Sequence, residues 1–138
     1  TIEYTQRQYK PWLDHDDGGN VLFTSVHLFD NKIEISSSSD APYKSTFYPG
    51  TGDLIENTTP TDEIYPGGIF NVPIGVGQMT SQQWRQQFTE KVFPRLVEFK
   101  PDIIFCSAGF DAHELDHIHG EGDTTITEFD YQWLTENL

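Results

Sequence analysis

Val21-Leu22-Phe23-Thr24-Ser25-Val26-His27 is apolar and β-branched with little alternation. A strand with one wet face alternates apolar and polar residues, whereas a strand covered on both faces does not. The run therefore reads as a strand of a parallel sheet. Working outward, residues 14–20 (DHDDGGN) form an Asp- and Gly-rich turn before it. Residues 1–9 are polar with scattered aromatics and read as a short helix. Residues 31–46, with four consecutive serines, read as a surface loop or insertion, and residues 47–53 (FYPGTGD) as a tight Pro-Gly loop. Residues 54–68 form another loop.

A second strand is expected over Ile69-Phe70-Asn71-Val72-Pro73-Ile74, with Pro73 near its end, where a missing N–H is tolerated. Thr80 and Gln83 have capping-box spacing. Trp84, Phe88, Val92 and Leu96 then recur every four residues and mark a helix over 80–100. Pro94 inside that run costs about 3 kcal/mol in a continuous helix, so a kink or a fresh start is expected there. Ile103-Ile104-Phe105-Cys106-Ser107 reads as a third buried strand with Cys106 an inert core residue. Residues 127–138 read as an amphipathic helix with Phe129, Trp133 and Leu134 inside. Strands joined by long crossovers imply a parallel α/β sheet flanked by helices, with right-handed connections. In such sheets chemistry sits beyond the carboxyl ends of the strands, here after His27, after Ile74 and at Asp111.

A chain of 138 residues makes one domain, not two. The formal charge of -14 argues against a nucleic-acid surface, which needs clustered cations, and against an anionic membrane surface. A basic peptide suits it electrostatically. With Cys106 the single cysteine, no internal disulfide is possible, which fits a reducing compartment. No apolar run approaches the roughly 20 residues of a membrane span, and no signal peptide is visible. The start at Thr1 without Met and the helical reading at Leu138 lead us to expect that both ends are internal to a longer polypeptide.

Asp111 is the first candidate for chemistry, because carboxylate oxygen is a good zinc ligand. A lone Asp at a strand end more commonly caps a helix or bonds a loop, and spacing alone leaves both readings open. Residues 116–122 (DHIHGEG), with Asp111 and His113 nearby, bring His113, His117 and His119 into one loop. That loop reads as a solvated polar insertion or as an independent metal site. Residues 14–19 carry similar residue types but precede a strand, so they read as a solvated turn. His27 reads as a buried, hydrogen-bonded histidine.

Four motifs appear in order: SVHLFD (25–30), FYPGTGD (47–53), NVPIGVG (71–77) and SAGFDA (107–112). Together they resemble the second half of the catalytic core of zinc-dependent histone deacetylases. FYPGTGD and SAGFDA are the specific parts, and the Phe-Asp-Ala form of the last resembles the class II branch. The resemblance implies an arginase-like parallel α/β fold, present here as an incomplete domain over 1–138. It implies zinc-assisted hydrolysis of acetyl-lysine amides in histones or other proteins. Asp111 matches the family's second zinc-ligating aspartate. Ser25 and the carbonyl of Val26 match part of a monovalent-cation site for K+ or Na+. Tyr48 matches an aromatic lining the acyl-lysine tunnel, where the family usually has Phe and where a Tyr lines a slot equally well. Implied partners are acetylated lysines of histone tails or other proteins and co-repressor subunits. Implied compartments are the nucleus and the cytoplasm.

The family's other zinc ligands lie in an Asp-x-His motif followed by Gly-Asn-Gly-Thr, with whose final Thr the residue Thr1 aligns. Its catalytic histidines lie further upstream, and its carbonyl-polarising Tyr lies downstream of Leu138. No catalytic base or oxyanion donor is therefore expected within the segment, which is expected to be inactive alone. Three readings stand: part of a deacetylase, a catalytically inactive interaction module on the same fold, and an independent metal loop at His113, His117 and His119.

Overall fold

The sheet forms where the apolar runs find each other. In the computed structural model, which describes residues 17–29, 51–57, 67–75, 79–118 and 124–138, β1 (Leu22–Leu28) and β2 (Gly68–Ile74) pair in parallel. The register runs from Leu22 opposite Gly68 to Leu28 opposite Ile74. Gly68 N donates to Val21 O at 2.8 Å, and Phe29 N donates to Ile74 O at 2.8 Å. Ladder bonds repeat at every second residue. Odd residues of β1 and even residues of β2 therefore make the bonds between them. Pro73 is odd, so its missing N–H falls on the edge facing away from β1, where it costs no ladder bond. Asn71, Val72 and Ile74 are buried, as a strand covered on both faces requires. β1 is half-buried, and among the described residues β2 is its one neighbour.

The single turn α1 (Asp17–Asn20) precedes β1, and a 3-10 turn (Leu54–Glu56) follows the Gly52 loop. α2 (Ser81–Gln87) starts at the expected capping box. Gln83 N donates to Thr80 Oγ1 at 3.2 Å, and Thr80 N donates to Gln83 Oε1 at 3.0 Å. The helical backbone runs through Pro94 without a break from 81 to 99. It widens into a π-helical turn (Phe88–Val92), where Phe93 N donates to Phe88 O, and continues as α3 (Phe93–Phe99) with Pro94 in its first turn. The wider turn accommodates a proline that has no N–H for the regular ladder. Lys100, with φ 54°, ends α3 in the left-handed region.

α4 (Glu128–Asn137) lies against α2. Ile74, Met79, Trp84 and Ile126 make the buried core, and Val26, Leu28, Phe88, Ala112, Tyr131, Trp133 and Leu134 pack on it. Aromatic rings extend it: Trp84 on Phe88 (4.6 Å between centroids), Phe88 on Phe93 (6.2 Å) and Phe93 on Trp133 (5.7 Å). Residues 124–126 thread between two segments, bridging Met79 on one side and His113 on the other.

Two expectations need correction. Residues 103–107 do not form a strand: Ile103 is 70% exposed and Phe105 92% exposed, and Cys106 is at the surface instead of in a core. A strand is stabilised by its cross-strand partners and by what covers its faces, more than by its own propensity. Among the described residues no strand pairs with it. On α4, Trp133 and Leu134 face inward as expected, but Phe129 is 64% exposed. The helix is turned so that Asp130 and Tyr131 face in, for a reason that lies in its polar contacts. Residues 1–16, which include the expected N-terminal helix, the insertion at 31–46, and Tyr48 and His119 lie outside the described residues.

Candidate functional site

The carboxyl end of β1 carries the first part of the site. Successive side chains of a strand alternate between its faces. Val26 and Leu28 pack on the core, so Ser25 and His27 share the other face. Ser25 Oγ lies 2.8 Å from His27 Nδ1, and His27 Nε2 lies 3.0 Å from Gly52 O. A carbonyl only accepts, so Nε2 carries the ring proton and Nδ1 accepts from the Ser25 hydroxyl. Ser25 thus donates its proton to His27 and keeps oxygen lone pairs for another partner. Val26 is an even residue of β1, so its carbonyl faces away from β2 by the alternation above. Two oxygen donors of the kind a hard monovalent cation takes therefore stand on adjacent residues.

The loop that meets His27 has little latitude. Gly52 has φ +106°, and a Cβ placed there falls 2.2 Å from His27 Nε2. Glycine is required at this position on both counts. Glu56 accepts from Gly52 N at 3.0 Å. Asn57 bonds both backbone groups of Asn71, accepting from its N at 2.6 Å and donating to its O at 3.1 Å. Asn71 Nδ2 in turn donates to Asp53 O at 3.3 Å. Gly52 and Asp53 are thereby tied to both strands.

Asp111 occupies an exposed turn after the apolar run. His113 N donates to Phe110 O at 3.0 Å and Asp116 N to His113 O at 2.9 Å. Tyr131 Oη donates to Phe110 O at 3.3 Å. The far side of the turn is fastened to residues 124–126: Glu114 N donates to Ile126 O at 2.8 Å and Thr124 Oγ1 to Ala112 O at 2.7 Å. Burial first, and then the charges of Asp111, Asp130 and Asp116, push the Tyr131 phenol up to about 12. It therefore stays a donor throughout the neutral range.

His113 is already engaged. Its Nδ1 accepts from Leu115 N at 3.1 Å, so Nε2 holds the proton and faces Glu128 Oε2 at 3.4 Å. The backbone N–H of Glu128, and then the hydrogen bond from His113, hold that carboxyl below the ordinary value. His117 is exposed.

A polar cluster that the sequence reading missed joins α2 to α4. Asp130 is 1% exposed and accepts from Ser81 Oγ, from Arg85 Nε at 2.6 Å and from Thr127 N at 2.9 Å. Burial raises the Asp130 carboxyl. The bonds from Ser81, Thr127 and Arg85, with the Arg85 charge, outweigh burial and hold it below its ordinary value. The Arg85 guanidinium also lies 5.1 Å over the Trp133 ring. The signal was present in the sequence: Thr127 and Asp130 have the capping-box spacing, and the box is formed.

The described residues bring Ser25, Val26 and His27 together and place Asp111 on a separate turn against the same core, next to Ala112. The chemistry of Asp111 suits one position of a zinc ligand set. Among the described residues no group of three or more His, Cys, Asp or Glu side chains lies close enough to hold a metal ion. The donors present therefore fit one corner of a zinc site and not the whole.

Comparison with known proteins bears on this arrangement. Residues 15–138 match the profile of the Histone deacetylase domain. Type-2 histone deacetylase 2 of Dictyostelium discoideum is 36% identical over 127 residues, covering 91% of this chain and 6% of that protein. Histone deacetylase 14, chloroplastic, of Arabidopsis thaliana is 34% identical over 119 residues, covering 85% of this chain and 25% of that protein. The crystal structure of the HDA15 HD domain superposes with a TM-score of 0.62 at 28% identity, covering 85% of this chain and 28% of that one. The chain thus spans less than a third of each of these proteins.

Proposed function

This chain belongs to the histone deacetylase family, and on that premise we propose that it supplies part of the active site of a zinc-dependent hydrolase of acetyl-lysine amides in histones or other proteins. The observation that carries the reading is the Asp111 turn. Its carboxylate is open to solvent, while the backbone on both sides is fastened to α4 and to residues 124–126.

In this reading residues 1–138 form one partial domain, and Asp111 holds zinc together with ligands from elsewhere in the protein. Zinc supplies Lewis acidity toward the amide carbonyl when bound. Ser25 Oγ and the Val26 carbonyl hold a structural K+ or Na+, using the lone pairs that the bond to His27 leaves available. Tyr48, four residues before Gly52, lines the slot that takes the acyl-lysine. The proton-transfer base and the oxyanion donor come from outside this chain. Basic, acetylated histone tails suit the net charge of -14. We further assign co-repressor subunits as partners, and nucleus or cytoplasm as the compartment, although two relatives are named as chloroplastic.

The test is zinc-supplemented deacetylation of an acetyl-lysine peptide. It compares this segment, the full-length protein and its Asp111→Ala variant. Activity confined to the full-length wild type is the expected result. A full-length protein that is inactive with zinc present would transfer the reading to an inactive interaction module.

A further inference from the structure

We propose that Tyr131 is a positioning residue for Asp111, its ring and hydroxyl together fixing the backbone from which that carboxylate projects. The inference rests on the reading of Asp111 as a zinc ligand.

The turn around Asp111 follows an apolar run that has no ladder partner among the described residues. The side chains that approach it there come from α4. Tyr131 Oη donates to Phe110 O at 3.3 Å. The Phe110 ring stands edge-on to the Tyr131 ring, at 5.0 Å and 82°. The His113 ring lies nearly parallel to it, at 6.4 Å and 18°. The residues flanking Asp111 at 110 and 113 thus meet one and the same phenol ring.

That ring is itself immobilised. It packs edge-on against the buried Trp84 at 5.7 Å and 80°. Its neighbour Asp130 ties the start of α4 to Ser81 and Arg85 of α2. A continuous set of contacts therefore runs from the core, through Tyr131, to both sides of Asp111. A metal ligand has to be held within about 0.5 Å of its working position, and the groups that orient it are worth about 10- to 100-fold in affinity or activity. Phenylalanine at 131 keeps every ring contact and removes only the bond to Phe110 O. Leucine removes both.

The test uses the full-length protein and three variants, Tyr131→Phe, Tyr131→Leu and Asp111→Ala. The readouts are zinc affinity by chelator competition, kcat and KM, and hydrogen exchange in the metal-free protein. We expect Tyr131→Phe to weaken zinc and lower kcat about 10-fold, with KM unchanged, and Tyr131→Leu to approach about 100-fold. In metal-free Tyr131→Phe the amides of His113 and Leu115 exchange faster while those of β1 do not. Tyr131→Phe with zinc affinity and kcat within about twofold of wild type overturns the inference, as does faster exchange spread equally into β1. If Asp111→Ala binds zinc as tightly as wild type, the ligand reading fails and takes this inference with it. If Asp111→Ala loses zinc and Tyr131→Phe does not, only the role of Tyr131 fails.

Discussion

Two apolar runs of similar composition meet different fates in this molecule. Leu22–Leu28 is a strand, paired residue for residue with β2. Residues 103–107 are as apolar and lie at the surface with Phe105 92% exposed. Each leads to residues we assign to the site, Ser25 and Val26 in the first case and Asp111 in the second. The means of holding those residues differ accordingly. The β1 end is fixed by backbone ladder bonds and by one imidazole clamped on Gly52. The Asp111 turn is fixed on one side by Tyr131 and on the other by the 124–126 segment. Strand propensity realises itself only where a partner lies alongside. Where none does, side chains from a neighbouring helix have to do the positioning.

The largest expected effect separates the two ends by function. In the full-length protein, Asp111→Ala should lower kcat/KM by more than about 100-fold, beyond the range found for groups that merely orient a ligand. Ser25→Ala should cost about 10-fold and respond to added K+, as a site that supports the metal instead of holding it. Steady-state kinetics over a K+ titration measures both. Equal losses in the two variants would break the division between a metal end and a supporting end.

Next comes the clasp behind the Asp111 turn. Asp130→Asn should destabilise by about 2–3 kcal/mol, because charge-assisted bonds from Arg85, Ser81 and Thr127 are weakened around a buried group. The pH dependence has a definite sign. The folded-state carboxyl is held below its ordinary value, so its contribution is complete above about pH 4. It is lost as pH falls through the folded value. Thermal melts of wild type and Asp130→Asn should therefore converge on acidification. A gap that stays constant down to pH 2 would remove the ionised carboxylate from the account.

Gly52→Ala probes the opposite end. Left-handed backbone and a Cβ 2.2 Å from His27 Nε2 should together cost about 1–3 kcal/mol. The displaced imidazole should release Ser25 and weaken the response to K+, leaving zinc affinity within about twofold. Chelator competition together with a K+ titration checks this. Loss of zinc affinity as large as in Asp111→Ala would mean that the two ends are not held independently.

Much of this was legible in the sequence, and the failures have one physical cause. β1 was readable from an apolar, β-branched run with little alternation, the irregularity near Pro94 from the missing N–H, and the start of α2 from Thr80 and Gln83. Each depends on residues close in sequence. The exposure of Ile103 and Phe105 depends on what lies beside them in space, which apolar composition does not encode. The orientation of α4 was misjudged because hydrophobicity ranks Phe129 above Asp130. The buried partner of Arg85 is a carboxylate with its bonds satisfied, and a satisfied carboxylate is a sound occupant of an interior. The strand reading placed Ser25 and His27 on β1, whereas Asp111, expected to end a third strand, stands on a turn. The contacts that fix them, through Gly52 and Tyr131, required the fold.

The smallest expected effect tests the opening comparison itself. If the run at 103–107 stays exposed because nothing pairs with it, its apolar side chains should drive association of the 138-residue chain through that exposed apolar surface. Ile104 already lies in a groove with Phe93, Leu96, Val97 and Leu138, whereas Phe105 projects into solvent. Phe105→Ser should therefore leave folding stability within about 0.5 kcal/mol, as an exposed substitution does. It should also shift the chain from oligomers toward monomer, as read by sedimentation velocity at several concentrations. A wild-type chain that sediments as a monomer throughout would mean that this run is not an association surface. A Phe105→Ser variant that unfolds at markedly lower temperature would mean that Phe105 is packed in solution, and that the two runs differ less than their contacts indicate.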